Sequence, residues 1–160
     1  MIRHRILSLF SNIGVAEAYL EELGHDVIVA NELDPKRASL YQKIYPKTNM
    51  ICGDITDKKT FDNIIKIAKN GNVNCIIATP PCQGMSTAGK QKKFDIRNNL
   101  FCYALNAILE LMPEYVLFEN VTGFLKTQVI YNNEPTLITD VIEKEIGEKY
   151  ILNFYSINAK

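Results

Sequence analysis

The alternation of short apolar runs with segments of helical spacing is the feature that most constrains the fold of this chain. The predicted strands are Arg5–Phe10, Val27–Asn31, Asn49–Gly53, Val73–Ala78, Tyr115–Glu119 and Ile151–Ile157. The predicted helices are Val15–Leu23, Asp34–Tyr45, Thr60–Lys69, Asn99–Met112 and Thr136–Ile146. Strands and helices that alternate in this way predict an α/β fold, with a mostly parallel sheet and helices on both faces.

Local signals mark the ends of several of these elements. Gly24 is a plausible stop for the first helix, Pro35 suits the first turn of the second, and Asp34 before it is typical of an N-cap. Two long stretches, Gln83–Asn98 and Thr122–Pro135, lack clear periodicity and are predicted as loops.

Length and composition narrow the class of protein. The 160 residues suit one compact domain, and we expect residues 1–160 to form a single catalytic or binding domain. No apolar run is long enough to span a bilayer, and the basic N-terminus is followed by too short an apolar stretch for a signal peptide, so a cytoplasmic protein is expected. The formal net charge is zero and gives no global support for a nucleic-acid partner. The four cysteines form no CxxC pair and there are two histidines, a pattern that does not match a zinc site, so no metal is expected.

Polar residues follow the first three predicted strands, where parallel sheets bind their ligands. Phe10 to Gly14 forms a turn that opens a helix, which suits the approach of a nucleotide-like cofactor. Glu32 is placed to accept hydrogen bonds from ribose hydroxyls, and Asp54 to accept one from an adenine amine, with Ile55 beside it to cover the ring. Alone, the first feature also fits a plain turn and the acidic residues after the second strand also fit a helix N-cap, but the register of all three favours a nucleotide site.

The fourth and fifth strands are followed by residues suited to catalysis. Cys82 comes after Pro80 and Pro81, which fix the backbone, and before Gly84, so a buried structural cysteine fits this context badly. Glu119 ends the neighbouring strand, where a carboxyl group is placed to act as an acid toward a ring nitrogen. The other cysteines, Cys52, Cys75 and Cys102, lie in contexts that predict structural roles.

In their order along the chain, these motifs resemble those of the DNA (cytosine-5) methyltransferases. The matching residues are Leu7–Phe10, Asn31-Glu32, Gly53-Asp54, Pro80–Ser86, Asp95–Leu100 and Glu119–Val121. The resemblance covers essentially the whole chain, and its most specific elements are Pro-Pro-Cys-Gln and Glu-Asn-Val. It implies a Rossmann-like fold that binds S-adenosylmethionine, and double-stranded DNA with a flipped cytosine as the substrate.

The resemblance also implies residue roles. Cys82 is expected to attack C6 of cytosine and Glu119 to hydrogen-bond its N3 and exocyclic amine, while Asn120 ties the proline–cysteine turn in place. Gln83 belongs to the same motif, Ser86 is expected to contact a backbone phosphate, and the segment Gln83–Asn98 resembles the one that closes over DNA. The residues expected to line the cofactor site are Phe10, Ile13, Gly14, Glu32, Leu33, Asp54, Ile55, Pro80 and Leu100.

Two departures from the family pattern stand out. Asn12 replaces a usual glycine, and Val15 replaces a residue that is commonly small. The family also continues after Asn158-Ala159 with an arginine-rich motif, a target-recognition domain and a returning helix, so we expect the fold to be incomplete at the C-terminus. The chain is then a fragment, or one half of an enzyme completed by a complementary C-terminal polypeptide. A tRNA cytosine-5 methyltransferase and a non-catalytic subunit that needs a partner stay open as alternatives, whereas Cys82 and Glu119 argue against a plain NAD-binding domain.

Overall fold

A computed structural model describes residues 3–81 and 100–158. Cys82, Gln83 and Ser86 therefore lie outside the described residues, as does the whole predicted loop Gln83–Asn98. The chain divides into two compact units, of which the first comprises Met1–Pro80 with Phe101–Glu119 and the second Pro81–Leu100 with Asn120–Lys160.

The first unit is built on a parallel sheet. Its strands are β1 (Arg5–Leu9), β2 (Asp26–Glu32), β3 (Asn49–Cys52), β4 (Cys75–Ala78) and β5 (Tyr115–Phe118). They lie in the order β3-β2-β1-β4-β5, and every neighbouring pair is parallel. Because all the strands run in the same direction, their carboxyl ends lie along one edge of the sheet. The parallel sheet predicted from the sequence is confirmed.

Three helices connect these strands, namely α1 (Pro35–Ile44), α2 (Lys58–Asn70) and α3 (Leu100–Leu111). Right-handed crossovers place α1 on one face of the sheet and α2 and α3 on the other, because the chain reverses its direction across the sheet after β3. The rings of Phe61 on α2 and Tyr103 on α3 meet edge-on with centroids 6.2 Å apart, as expected for helices on one face. The predicted helix cap is also confirmed, since the Asp34 carboxylate accepts the backbone N–H groups of Lys36 and Arg37.

The helix predicted over Val15–Leu23 is wrong. The segment is a series of turns, in which the N–H of Ala18 bonds to the carbonyl of Val15 and that of Leu20 to Glu17. Tyr19 has a φ of +69°, which a right-handed helix does not allow. The apolar residues Val15, Tyr19 and Leu23 are all more than half exposed, whereas Glu17 is buried.

The second unit contains a hairpin that the sequence analysis assigned to a loop. A 3-10 helix (Thr122–Lys126) leads into the antiparallel strands β6 (Gln128–Tyr131) and β7 (Glu134–Leu137), followed by α4 (Ile138–Ile146). Asn132 and Asn133 join the strands with φ values of +51° and +65°. This pair forms a tight hairpin turn, for which asparagine is well suited because it tolerates positive φ.

The strand predicted over Ile151–Ile157 is also wrong. Residues 151–158 belong to no regular element, and the side chain of Ile151 is 94% exposed. A strand needs a neighbour to pair with its backbone groups, and none of the described strands pairs with this segment. Within the described ranges, no helix combines the length and the apolar character that a bilayer crossing requires.

A buried carboxylate contacts β1 in the first unit. Glu17 is only 1% exposed, and its carboxylate accepts a hydrogen bond from the hydroxyl of Ser8. Burial raises the pKa of Glu17 above its usual range because the charged form is poorly solvated, and the hydrogen bond from Ser8 offsets part of this shift. The folded protein therefore favours the protonated form of Glu17 more than the unfolded chain does.

This pKa shift predicts a pH-dependent loss of stability. As pH rises from 4.5, the ordinary value for this side chain, through the folded pKa, the contribution of Glu17 to the free energy of unfolding falls, because the folded state must give up a proton that it holds more tightly. Glu17→Gln keeps an acceptor for Ser8 and carries no charge, so we expect its free energy of unfolding to decline less over this range. Denaturant unfolding across the range measures the difference.

The exposed Glu22 on the same segment provides the matched control. Glu22→Gln should follow the pH dependence of the unaltered chain. Equal pH slopes for the unaltered chain and Glu17→Gln would contradict the raised pKa.

Candidate active site

The order of the strands reverses between β1 and β4, and the crevice at such a reversal is the usual ligand site of an open α/β sheet. The chain leaves β4 through Thr79, whose N–H bonds to the carbonyl of Leu9 at 3.2 Å. The Thr79 hydroxyl also donates to the carbonyl of Phe10, at 3.0 Å. Through these two hydrogen bonds, Thr79 joins the turn after β1 to the start of the loop that leads to Cys82. The role of Thr79 was not predicted from the sequence, although a polar residue between a buried strand and a proline pair was a usable signal.

The turn after β1 depends on backbone conformations with positive φ. Phe10, Asn12 and Gly14 have φ values of +60°, +53° and +89°. Asparagine is among the residues that tolerate this region best, so Asn12 adopts the positive φ of this turn although it is not a glycine. The N–H and the hydroxyl of Ser11 both donate to the carbonyl of Asn31, each at 3.0 Å, and join this turn to the end of β2.

Gly14 is required by its packing as well as by its backbone. A Cβ atom at this position would lie 2.1 Å from Cε2 of Tyr45, just after α1. The Tyr45 hydroxyl donates to the carbonyl of Gly14 at 2.6 Å, which holds the ring in this place. Ile13 beside it is half-buried. The need for glycine at position 14 therefore comes partly from the packing of Tyr45, a contact that was not predicted from the sequence.

Glu32 is positioned by backbone N–H groups on both sides. It is 6% exposed, and its carboxylate accepts the N–H of Asn12 at 2.9 Å and that of Asp34 at 2.8 Å. Each bond uses a different carboxylate oxygen, so each oxygen keeps capacity for another donor. The pair of oxygens therefore suits the two hydroxyls of a ribose. Leu33, the next residue, is 65% exposed at the same edge of the sheet.

Asp54 lies at the end of β3 with an exposed side chain. One of its oxygens accepts the N–H of Thr56 at 2.9 Å and the hydroxyl of Thr56 at 2.8 Å. That bonding orients the carboxylate and leaves its other oxygen for a donor such as an amine. Ile55 is buried, with 4% exposed, and packs into the core of the unit.

The catalytic candidates are described only in part. Glu119 has an exposed side chain, and its N–H bonds to the carbonyl of Ala78 at 3.1 Å, so it lies beside the end of β4. Pro80 is buried, while Cys82 is outside the described residues, so the pairing of Cys82 with Glu119 stays a prediction.

Two further candidates belong to the second unit. Leu100 is half-buried at the start of α3. The Asn120 side chain accepts the N–H of Val121 at 2.9 Å. Their expected roles beside the cofactor and the proline–cysteine turn also stay predictions.

The other cysteines differ in their surroundings. Burial raises the pKa of Cys75 to about 11, so its thiol stays protonated at neutral pH and is a poor nucleophile. Cys52 is exposed at the end of β3, and Cys102 is half-buried on α3.

The reversal in strand order and the acceptors along the carboxyl edge define a Rossmann-like α/β unit of the class that binds nucleotide cofactors. The sequence profile described as C-5 cytosine-specific DNA methylase matches residues 4–157. The chain therefore belongs to the C-5 cytosine-specific DNA methylase family.

Curated relatives and solved structures agree with this assignment. The chain is 45% identical to the type II methyltransferase M1.HgaI of Avibacterium volantium, over 96% of this chain and 44% of that protein. It is 32% identical to a tRNA (cytosine(38)-C(5))-methyltransferase of Spodoptera frugiperda, over 79% of this chain and 38% of that protein. A crystal structure of a DNMT2 variant from Spodoptera frugiperda superposes with a TM-score of 0.64 and 27% identity, over 91% of this chain and 41% of that chain. The chain thus spans less than half the length of these relatives.

The packing of Gly14 against Tyr45 predicts an unequal response of two glycines with similar backbone conformations. Gly14 and Gly24 have φ values of +89° and +83°, but no atom lies within 4 Å of the Cβ position at Gly24. Alanine at either position should lower the free energy of unfolding by about 1 to 2 kcal/mol, because alanine is strained in the left-handed backbone conformation. Gly14→Ala should lower the free energy of unfolding by about 1 to 3 kcal/mol more, because Tyr45 must move.

Chemical denaturation of the two variants measures these losses, with Gly24→Ala as the matched control. Equal losses would show that Tyr45 does not restrict position 14.

Proposed function

We propose that this chain is the catalytic and cofactor-binding part of an enzyme that transfers a methyl group from S-adenosylmethionine to C5 of cytosine in double-stranded DNA. Membership of the family and the 45% identity to a relative named as a type II methyltransferase support this function. The structural observation that carries it is the Thr79 hydroxyl bond to Phe10, which joins the cofactor turn to the loop that leads to Cys82. We propose residues 1–160 as one catalytic domain of a cytoplasmic enzyme of DNA modification.

The carboxyl edge of the sheet fits the cofactor through its acceptors. Glu32 accepts hydrogen bonds from the ribose hydroxyls, and Asp54 accepts one from the adenine amine, because these groups of the ligand are donors. Leu33 lies beside Glu32 and contacts the adenine ring. The other proposed contacts are Phe10, Ile13, Gly14, Ile55, Pro80 and Leu100. When bound, S-adenosylmethionine supplies an electrophilic methyl group.

Cys82 and Glu119 divide the chemistry on the cytosine ring between them. The enzyme holds the target cytosine out of the duplex, since the reacting atoms are inaccessible in a stacked pair. The thiolate of Cys82 forms a bond to C6, and Glu119 supplies a hydrogen bond and a proton at N3, where negative charge would otherwise develop. C5 then becomes nucleophilic and takes the methyl group. A base removes the C5 proton, the bond from Cys82 to C6 breaks to restore the thiolate, and N3 returns its proton to Glu119.

The parts of the family fold beyond these 160 residues are needed to read the DNA sequence. We propose that a polypeptide corresponding to the remaining length of the relatives supplies the target-recognition surface. The zero net charge of this chain supports that division, because contacts to phosphates rely on basic residues. Ser86 and Gln83 are the proposed contributions of this chain beside the DNA.

The nucleophile is tested by Cys82→Ser. In the presence of the complementary polypeptide and duplex DNA, the unaltered chain should transfer radiolabelled methyl groups to cytosine. Cys82→Ser should lose this activity by about a thousandfold or more, because a serine hydroxyl is not ionised at neutral pH as a thiol can be. The exposed Cys52 gives the control, since Cys52→Ser should retain transfer. Transfer that persists in Cys82→Ser would overturn the mechanism.

The acid role is tested by Glu119→Gln, which keeps a hydrogen-bond donor but cannot give up a proton to N3. The rate of methyl transfer should fall by about a hundredfold, the lower end of the usual effect of general acid catalysis. Glu114→Gln is the control, because Glu114 is exposed just before the same strand. An unchanged rate in Glu119→Gln would exclude proton donation by this residue.

A tRNA substrate is the second candidate, and the relative named as a tRNA methyltransferase favours it. The same transfer assay with tRNA in place of duplex DNA distinguishes the two substrates. Binding of S-adenosylmethionine with no transfer to either substrate would instead favour a non-catalytic subunit.

A further inference from the structure

We propose that Asn31 is a positioning residue, which fixes the end of β3 so that Asp54 meets the adenine amine of the cofactor. The inference rests on the proposed cofactor site and assigns a role to a residue that touches no ligand itself. Asn31 is buried, with 2% of its surface exposed, one residue before the end of β2.

The side-chain amide of Asn31 spans the junction where β3 leaves the sheet. Its Nδ2 donates to the carbonyl of Ile51 at 3.0 Å and to that of Gly53 at 3.0 Å. Ile51 is the strand residue paired with Asn31, whereas Gly53 lies beyond the last residue of β3. The amide therefore continues the hydrogen bonding of the sheet past its end, to the residue directly before Asp54.

The backbone of Asn31 joins the same junction to the turn after β1. Its carbonyl accepts both the N–H and the hydroxyl of Ser11. One residue thus links the ends of β1, β2 and β3, which carry the proposed cofactor contacts. A side-chain substitution removes the bonds to β3 and leaves those to Ser11, so the two contributions can be separated.

The expected consequence is a loss of preorganisation at Asp54. Without the amide, two part-buried carbonyls lose their side-chain donor and the turn at Gly53 samples more conformations. A binding group that must be ordered on association contributes less affinity than one held in place beforehand. The loss of affinity should therefore come from the contact between Asp54 and the adenine amine.

Two ligands isolate that contact. S-adenosylhomocysteine carries the exocyclic amine, whereas S-inosylhomocysteine carries a carbonyl oxygen there and offers Asp54 no amine donor. In titrations of the intact chain followed by NMR, Asn31→Ala should weaken the binding of S-adenosylhomocysteine by about tenfold. This factor corresponds to the loss of roughly one well-oriented hydrogen bond. The same variant should weaken S-inosylhomocysteine by less than about twofold, since that ligand lacks the bond in question.

The matched control is Asn49, at the other end of the same strand pair. Its Nδ2 donates to the carbonyl of Ile28 at 2.9 Å, so it also bonds β3 to β2, but far from the cofactor edge. Asn49→Ala should leave both affinities unchanged. Thermal unfolding of each variant checks that it is folded, and Asn31→Ser, which keeps one donor, should show a smaller loss of the same selectivity.

The outcomes separate the two claims. Equal weakening of both ligands by Asn31→Ala or Asn31→Ser, or no weakening of either, would overturn the role of Asn31 and leave the cofactor site in place. Failure of the unaltered chain to bind S-adenosylhomocysteine at millimolar concentration would overturn the cofactor site proposed for this chain, and the role of Asn31 with it. Selective loss of S-adenosylhomocysteine binding supports the inference.

Discussion

The parallel pairing of β1 with both β2 and β4 is the constraint on which the rest of the first unit depends. It places the carboxyl ends of all three strands along one edge, so the residues that follow them are neighbours although they are far apart in sequence. It also creates the reversal in strand order, and hence the crevice in which such sheets bind ligands. Thr79 and Ser11 then fix the loops at this edge by bonding each to the end of an adjacent strand.

Polar groups buried near this edge are stabilised by specific partners. The Glu32 carboxylate accepts backbone N–H groups from two loops. The Asn31 amide donates to two carbonyls of a third segment. Burying such groups without partners would cost several kcal/mol each, roughly, so the loops are held in the conformations that satisfy them. The network therefore fixes the loops at the carboxyl edge of the sheet by hydrogen bonds.

The sequence predicted the described parallel strands well because a buried parallel strand is a continuous apolar run, as in Cys75–Ala78. It also located the candidate acceptors Glu32 and Asp54, because strand ends can be found from the pattern alone. It failed at Val15–Leu23, where a helix was predicted but the segment forms turns that bury a carboxylate, Glu17. It missed the hairpin at Asn132-Asn133, whose turn signal was present. Asn31 and Thr79 could not be assigned their hydrogen bonds, since those depend on which strands are neighbours and in what register.

The contact between Gly14 and Tyr45 links the turn after β1 to a residue just beyond the helix that follows β2. A smaller side chain at position 45 would make space for a larger residue at position 14, but that change would also remove the hydroxyl that bonds the turn. In evolutionary terms, the two positions are expected to vary together. An aromatic residue at position 45 would then accompany glycine at position 14 in sequences that share this turn.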